Sequence, residues 1–253
     1  MEIEAYGRTD TGPVREHNED NLLIDIENGV FLLADGMGGH AAGEVASQMA
    51  VQTAHEILVG EDDPDETRLV RDIDPQDDAD VLRERMRYAM NQASVRIRRE
   101  SELRPETRGM GTTLVVLVVD GHQVHLAHVG DSRAYMFRQG RITRLTRDHT
   151  VVQQEIDTGN LTPELARLVT YKHILTQSVG FHGPVEPDTT TRMIEPGDIF
   201  VLCSDGLTDP LTDEDLRAII EKTPFDNLAE ELTEQALSAG SEDNVTVIAL
   251  RVQ

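Results

Sequence analysis

The stretch Thr112-Thr-Leu-Val-Val-Leu-Val-Val-Asp120-Gly-His-Gln-Val-His-Leu-Ala-His-Val129 decides the architecture. Two runs of aliphatic, mostly β-branched residues flank Asp120-Gly121, a dipeptide that closes a tight hairpin because both residues tolerate positive φ. A hairpin makes its two strands, Thr112–Val119 and Gln123–Val129, antiparallel. Working outward, the same signature gives strands at Ile3–Tyr6, Asn21–Ile26, Val30–Ala34, Arg133–Arg138, Ile199–Cys203 and Val245–Arg251. Arg138-Gln-Gly140 reads as a second turn. Between these strands the apolar period changes to that of a helix. Val45, Met49, Ala50, Thr53 and Ile57 share one face, and Leu82, Met86, Ala89, Ala93 and Ile97 another. Thr212 with Asp215 caps a helix over Asp213–Glu221, and Leu228, Leu232 and Ala236 mark a last one. Strands, a helix pair, strands, a helix pair and a final strand make an α+β chain with antiparallel sheets, not a doubly wound parallel one.

The chain has 253 residues and a net charge of -24, from 47 acidic and 23 basic side chains. A chain of this size builds a core without staples, and its lone cysteine, Cys203, forms no intrachain disulfide. So acidic a surface repels phosphate backbones and anionic lipid, which argues against a nucleic-acid or membrane-surface binder. No apolar run approaches the roughly 20 residues of a membrane span. Met1-Glu2-Ile3-Glu4 lacks the basic and apolar regions of a signal peptide, so a cytoplasmic protein is expected. Residues 60–80 hold ten acids, two arginines and two prolines and read as an exposed acidic loop insertion. Residues 146–183 carry two short helical patterns, Val151–Ile156 and Pro163–Leu168, broken by Gly159 and Pro163. They read as a small subdomain on one continuous domain, 1–253.

Five aspartates end apolar strands or sit in glycine-rich turns, where an unpaired carboxylate is costly. They are Asp20 in Arg15-Glu-His-Asn-Glu-Asp20, Asp35 in Asp35-Gly-Met-Gly-Gly-His40 and Asp131 in Val129-Gly-Asp-Ser-Arg133. The others are Asp205 in Leu202-Cys-Ser-Asp-Gly-Leu-Thr-Asp209 and Asp243 in Glu242-Asp-Asn-Val-Thr246. Strand ends gathered at one sheet edge bring such groups together. Their mutual repulsion, several kcal/mol at an effective dielectric of about 20, is then relieved by cations. Oxygen donors without a Cys/His set suit Mg²⁺ or Mn²⁺ and disfavour zinc. Gly36, lacking a side chain, lets its carbonyl approach an ion closely.

Together with Gly109-Met-Gly-Thr-Thr113, these motifs resemble those of the metal-dependent serine/threonine protein phosphatases, the protein phosphatase 2C family, in its bacterial form. Six motifs in family order span nearly the whole chain. The resemblance implies a four-layer α-β-β-α sandwich: two antiparallel sheets face to face, flanked by helix pairs, with residues 146–183 as a flap. It implies two tightly bound Mn²⁺ or Mg²⁺ ions and a weaker third. Asp35 would bridge the first two with the Gly36 carbonyl on one of them, Asp205 and Asp243 would hold the other, and Asp131 would serve the third with Asp205 and Asp209. Asp20 would orient the attacking water and Arg15 would grip the phosphate, although an arginine here can also pair with Glu16 or Glu19. His40 either protonates the leaving group or only buttresses its turn. The implied activity is hydrolysis of phosphoserine and phosphothreonine on proteins by a monomer opposing a Ser/Thr kinase. The alternative is a non-catalytic phosphoprotein-binding regulator on the same fold.

Other residues read as structural. His122, His125 and His128 lie on a strand, where a spacing of three puts neighbours on opposite faces, so a zinc site is not expected. Cys203 reads as an inert core residue. Thr112 and Thr113 have no base beside them and read as the opening of a strand.

Overall fold

In the computed structural model, residues 2–38, 42–60, 78–181 and 183–253 are described. Eleven strands follow in chain order: β1 Ile3–Asp10, β2 Asp20–Asp25, β3 Val30–Met37, β4 Gly111–Thr112, β5 Leu114–Asp120, β6 Gln123–Val129, β7 Arg133–Arg138, β8 Arg141–Arg144, β9 Asp188–Met193, β10 Ile199–Cys203 and β11 Val245–Val252. One sheet has the order β1-β11-β10-β7-β8, and the other β2-β3-β5-β6-β9 with β4 beside β3. Every named pair is antiparallel. The β5–β6 hairpin forms, but Asp120 is its last paired residue, opposite Gln123, so the two loop residues are Gly121 and His122 and the positive φ, 56°, falls on Gly121 alone. The β7–β8 turn places Gln139 at φ 50° and Gly140 at φ 77°.

Alternation along the strands builds the layers, because successive side chains leave a strand on opposite faces. On β3, Val30, Leu32 and Ala34 face a helix pair, α1 (Ala42–Val59) and α2 (Asp78–Leu103), while Phe31 and Leu33 face the other sheet. On β5, Leu114, Val116 and Val118 go outward and Val115 and Leu117 inward. On β11, Val245, Val247 and Ala249 meet the second helix pair, and Ile248, Leu250 and Val252 close the inter-sheet layer. That second pair is α6 (Asp213–Lys222) and α7 (Leu228–Ser238). Ala46, Ala50 and Ala54 of α1, with Ala89 and Ala93 of α2, let the first pair approach closely over its sheet. Three further short helices are α3 (Val151–Asp157), α4 (Pro163–Ala166) and α5 (Asp205–Thr208). The first two lie within 146–183.

Several boundaries differ from the sequence reading. β1 runs to Asp10 rather than Tyr6, since Gly7–Asp10 pair with Val245–Ile248 and a partner strand overrides weak propensity. The expected Thr112–Val119 strand divides at Thr113 into β4 and β5. β8 and β9 were absent from the reading. Each is the edge of its sheet, and polar sequences such as Asp188-Thr-Thr-Thr-Arg-Met193 carry no apolar period. The helix expected over Pro163–Leu168 ends at Ala166. Of the acidic stretch 60–80, residues 61–77 lie outside the described residues, and its end is not loop, since α2 opens at Asp78. The Thr212/Asp215 capping box forms as expected.

Asp25 ties β2 to α1. Its Oδ2 accepts from Asn28 Nδ2 at 2.8 Å and lies 2.7 Å from His55 Nε2, and its Oδ1 accepts from the Asn28 amide at 3.1 Å. These bonds, that of the Asn28 side chain foremost, hold its carboxyl down to about 2. The stabilisation is therefore complete above the ordinary aspartate value of 3.8 and is lost as pH falls through about 2. Asp25→Ala is expected to cost about 1–2 kcal/mol near neutrality, the worth of charge-assisted hydrogen bonds. The Tm gap to the parent should narrow as pH falls below 4, and a gap constant across that range would refute the assignment.

Candidate active site

The sandwich brings the five motif aspartates to one edge. Asp20 and Asp35 are directly paired residues on β2 and β3. Asp131 follows Gly130 at the end of β6, Asp205 opens α5 just after β10, and Asp243 precedes β11. Antiparallel pairing places the ends of β3, β6 and β10 beside the starts of β5 and β11, so the acids converge around a cleft of about 900 Å³. Asp35, Gly36, Asp131, Asp205, Asp209, Asp243 and Arg15 line it.

The backbone under these acids is held rigidly. The Asp35 amide donates to Thr113 Oγ1 at 2.9 Å, and its carbonyl accepts from the Thr113 amide and from Thr112 Oγ1. Thr113 Oγ1 is in turn hydrogen-bonded to Ser132 Oγ at 2.7 Å, beside Asp131. Ser204 Oγ donates to Asp20 Oδ2 at 2.7 Å and accepts from the Thr246 amide. Asn244 accepts from the Glu19 amide and donates to the Thr11 and His17 carbonyls, which moors the loop carrying Arg15. Gly36 has no room for a side chain: a Cβ there would lie 2.1 Å from the Gly43 carbonyl oxygen. All the carboxylate positions expected from sequence are thus brought together. Thr113, Ser132, Ser204 and Asn244, missed as supports, each lie inside a motif, which was the available signal.

Electrostatics sets the chemistry. Burial, and then Asp20, Asp205, Asp131 and Asp243, push Asp35 well above the usual carboxylate range. Burial pushes Asp20 up to about 7 against the hydrogen bonds from Thr246 and Ser204, and pushes Asp131 up to about 8 with Asp205 and Asp148 adding to it. Carboxylates whose charged form is disfavoured by burial and by one another are a setting in which divalent cations would relieve the cost. Their donors are oxygens, which suit Mg²⁺ or Mn²⁺.

Positive side chains reach across the cleft. Arg15 Nη2 donates to Asp243 Oδ2 at 2.6 Å, so its partner is neither Glu16 nor Glu19. Lys172 Nζ lies 2.9 Å from Asp209 Oδ2. His173 Nδ1 lies 3.1 Å from Asp205 Oδ2 and its Nε2 3.4 Å from Asp209 Oδ2, and the bond to Asp205 raises its pKa. Sequence reasoning missed both Lys172 and His173, although a lysine is rare in this arginine-rich chain. His40 lies outside the described residues. Of the strand histidines, His122 is exposed, His125 lies 3.1 Å from Thr191 Oγ1, and His128 stacks on His149, so the three form no cluster. Cys203 is fully buried, its thiol pushed up to about 12, as an inert core residue should be.

A model of the protein phosphatase 2C family matches residues 14–240. The serine/threonine protein phosphatase PstP of Mycobacterium tuberculosis is 37% identical over 246 residues, covering 97% of this chain and 44% of that protein. The chain thus spans under half the length of this relative. The serine/threonine phosphatase stp of Listeria monocytogenes is 35% identical over 250 residues, covering 97% of this chain and 94% of that one. The solved catalytic domain of PstP in complex with two manganese ions superimposes with a TM-score of 0.81 at 35% identity, covering 99% of both chains.

Lys172 and His173 stand on Asp209 and Asp205, the carboxylates expected from sequence to hold metal. Replacing both with alanine is expected to tighten Mn²⁺ binding about fivefold, equivalent to about 1 kcal/mol for charge-assisted bonds discounted for their exposure. Calorimetry measures this, and unchanged or weaker binding would show that the pair does not compete with metal.

Proposed function

Since the chain belongs to the protein phosphatase 2C family, we propose that it is a metal-dependent phosphatase that hydrolyses phosphoserine and phosphothreonine on proteins. The observation that carries this reading is the convergence of Asp20, Asp35, Asp131, Asp205 and Asp243 at one sheet edge, where burial raises the first three above the usual carboxylate range. Asp35, the Gly36 carbonyl, Asp205 and Asp243 would hold two Mn²⁺ or Mg²⁺ ions, and Asp131 with Asp205 and Asp209 a weaker third. When bound, these ions supply Lewis acidity: a more acidic water and neutralised phosphoryl oxygens.

The chain's own residues do the rest. Asp20 is buried behind Asp35 and fixed by Ser204, which suits it to orient the attacking water. Arg15 presents a planar fork that matches two phosphate oxygens, and half of its side chain is exposed to the cleft. His40 protonates the departing alkoxide or supports the turn after Gly38. Residues 146–183 serve as a flap over the cleft within a single catalytic domain, 1–253, and 60–80 as an acidic insertion. The substrates are phosphorylated proteins, those of an opposing Ser/Thr kinase, and the chain acts as a monomer. No helix among the described residues is long and apolar enough to cross a membrane, and a cytoplasmic placement accords with that. Nothing favours a non-catalytic regulator, whose expected mark is loss of these carboxylates.

Phosphate release from a phosphothreonine peptide is expected to stop in EDTA and to return with Mn²⁺. Asp35→Asn should lower kcat at least a hundredfold, the order expected when a residue central to a two-metal site is lost. Full activity after chelation would overturn the reading. Arg15→Ala should chiefly raise KM, by about tenfold, because the metals also hold the phosphate. A collapse of kcat at constant KM would instead assign Arg15 to the transition state.

A further inference from the structure

We propose that His149 is a positioning residue that sets the Asp131 carboxylate and links it to the root of the 146–183 segment. Gly130, the residue before Asp131, is gripped on both of its polar backbone groups by this one residue. The Gly130 amide donates to His149 Nδ1 at 3.2 Å, and the His149 amide donates to the Gly130 carbonyl at 2.9 Å. Gly130 has a φ of 106°, outside any strand ladder, so neighbours must hold its shape. On its other side stands Thr113, whose Cγ2 would lie 2.6 Å from a Cβ on Gly130. Thr113 is also the residue that clamps Asp35. His149 therefore closes a chain of contacts running through Gly130 and Thr113 to both carboxylates.

The ring itself is held in place at a cost. His149 stacks on His128 with centroids 4.8 Å apart, and His128 Nε2 is anchored 2.8 Å from the Arg147 carbonyl oxygen. Because Nδ1 accepts from Gly130, the imidazole proton of the neutral ring sits on Nε2. Nε2 is buried, makes no hydrogen bond, and is the sole such side-chain atom among the described residues. The Asp188 carboxylate stands 3.4 Å away without bonding to it. A buried donor without a hydrogen bond is unfavourable, and it persists here because Gly130 dictates the tautomer. The same proton argues against Nε2 as a metal ligand, although His128, His149 and Asp188 lie close enough to suggest one.

His149 also reaches the flap. Its carbonyl accepts from the Thr176 amide at 2.8 Å, and the next residue, Thr150, bridges to Leu175 and caps α3. Lys172 and His173, which touch Asp209 and Asp205, lie just before this return strand. The root of this segment is thereby tied to the Gly130–Asp131 turn.

The inference rests on the reading of Asp131 as a ligand of the weaker cation, and the experiment separates the two. Mn²⁺ calorimetry is run on the parent chain, Asp131→Asn, His149→Leu, His149→Asn and His149→Gln, with kcat and KM on a phosphopeptide. An asparagine oxygen replaces Nδ1 in space, whereas a glutamine amide reaches the place of Nε2. His149→Leu and His149→Gln are expected to weaken the low-affinity Mn²⁺ step about tenfold, as loss of a supporting contact does. They should lower kcat with little change in KM and leave the tight steps unaltered, while His149→Asn restores the parent values. Equal behaviour of the Asn and Gln variants, or a normal low-affinity step in His149→Leu beside a defective Asp131→Asn, overturns the inference alone. An unaltered low-affinity step in Asp131→Asn overturns both the ligand reading and the inference. If the leucine variant does not fold, the Asn/Gln pair decides.

Discussion

Mutual repulsion among carboxylates crowded at one sheet edge is the constraint on which the rest of this structure depends. Burial makes Asp35 costly to charge, and Asp20, Asp205, Asp131 and Asp243 around it compound that cost. Such an arrangement disperses unless the backbone leaves it no alternative. The two sheets supply that rigidity. β3, β5 and β6 are buried almost throughout, and β10 and β11 nearly so, so the strand ends that carry the acids cannot shift without disturbing the core. The stability of the sandwich thus holds together a site that is unfavourable by itself, and binding of cations would return part of that free energy to the fold.

A second feature is how little of the holding is done by the acids themselves. Hydroxyls and amides do most of it: Thr112 and Thr113 on the Asp35 backbone, Ser204 on Asp20, and Asn244 on the loop around Arg15. Where a charge does intervene, it is a mobile one. Arg15 rests on Asp243, and Lys172 and His173 rest on Asp209 and Asp205. These side chains are partly exposed, and long, solvated cations exchange readily for others. The proposed phosphatase would thus arrive at its metals and its substrate with place-holders already installed.

Much of this was legible before any coordinates. The alternation of Val30–Ala34, the Thr212 capping box and the helix faces of 45–57 and 82–97 arise from local rules and appear where those rules put them, and the hairpin signalled by Asp120-Gly121 forms with its loop one residue further on, at Gly121 and His122. The acidic motifs were legible too, since an aspartate at the end of an apolar run is conspicuous. Edge strands β8 and β9 were not, because a strand with one solvated side needs no apolar period. Nor were Lys172 and His173, which lie in an irregular segment where spacing carries no information.

By itself, then, the sequence determined the strands of the interior, the helix pairs and the identity of the acids, because each depends on neighbours within a few residues along the chain. Tertiary structure decided which acids meet, which cations cover them, and that His149 grips Gly130 from 19 residues away. It also decided that Asn244 moors the loop near residue 17 across 227 positions. Those contacts exist because antiparallel pairing folds distant strand ends onto one edge, and no local periodicity records which ends will meet.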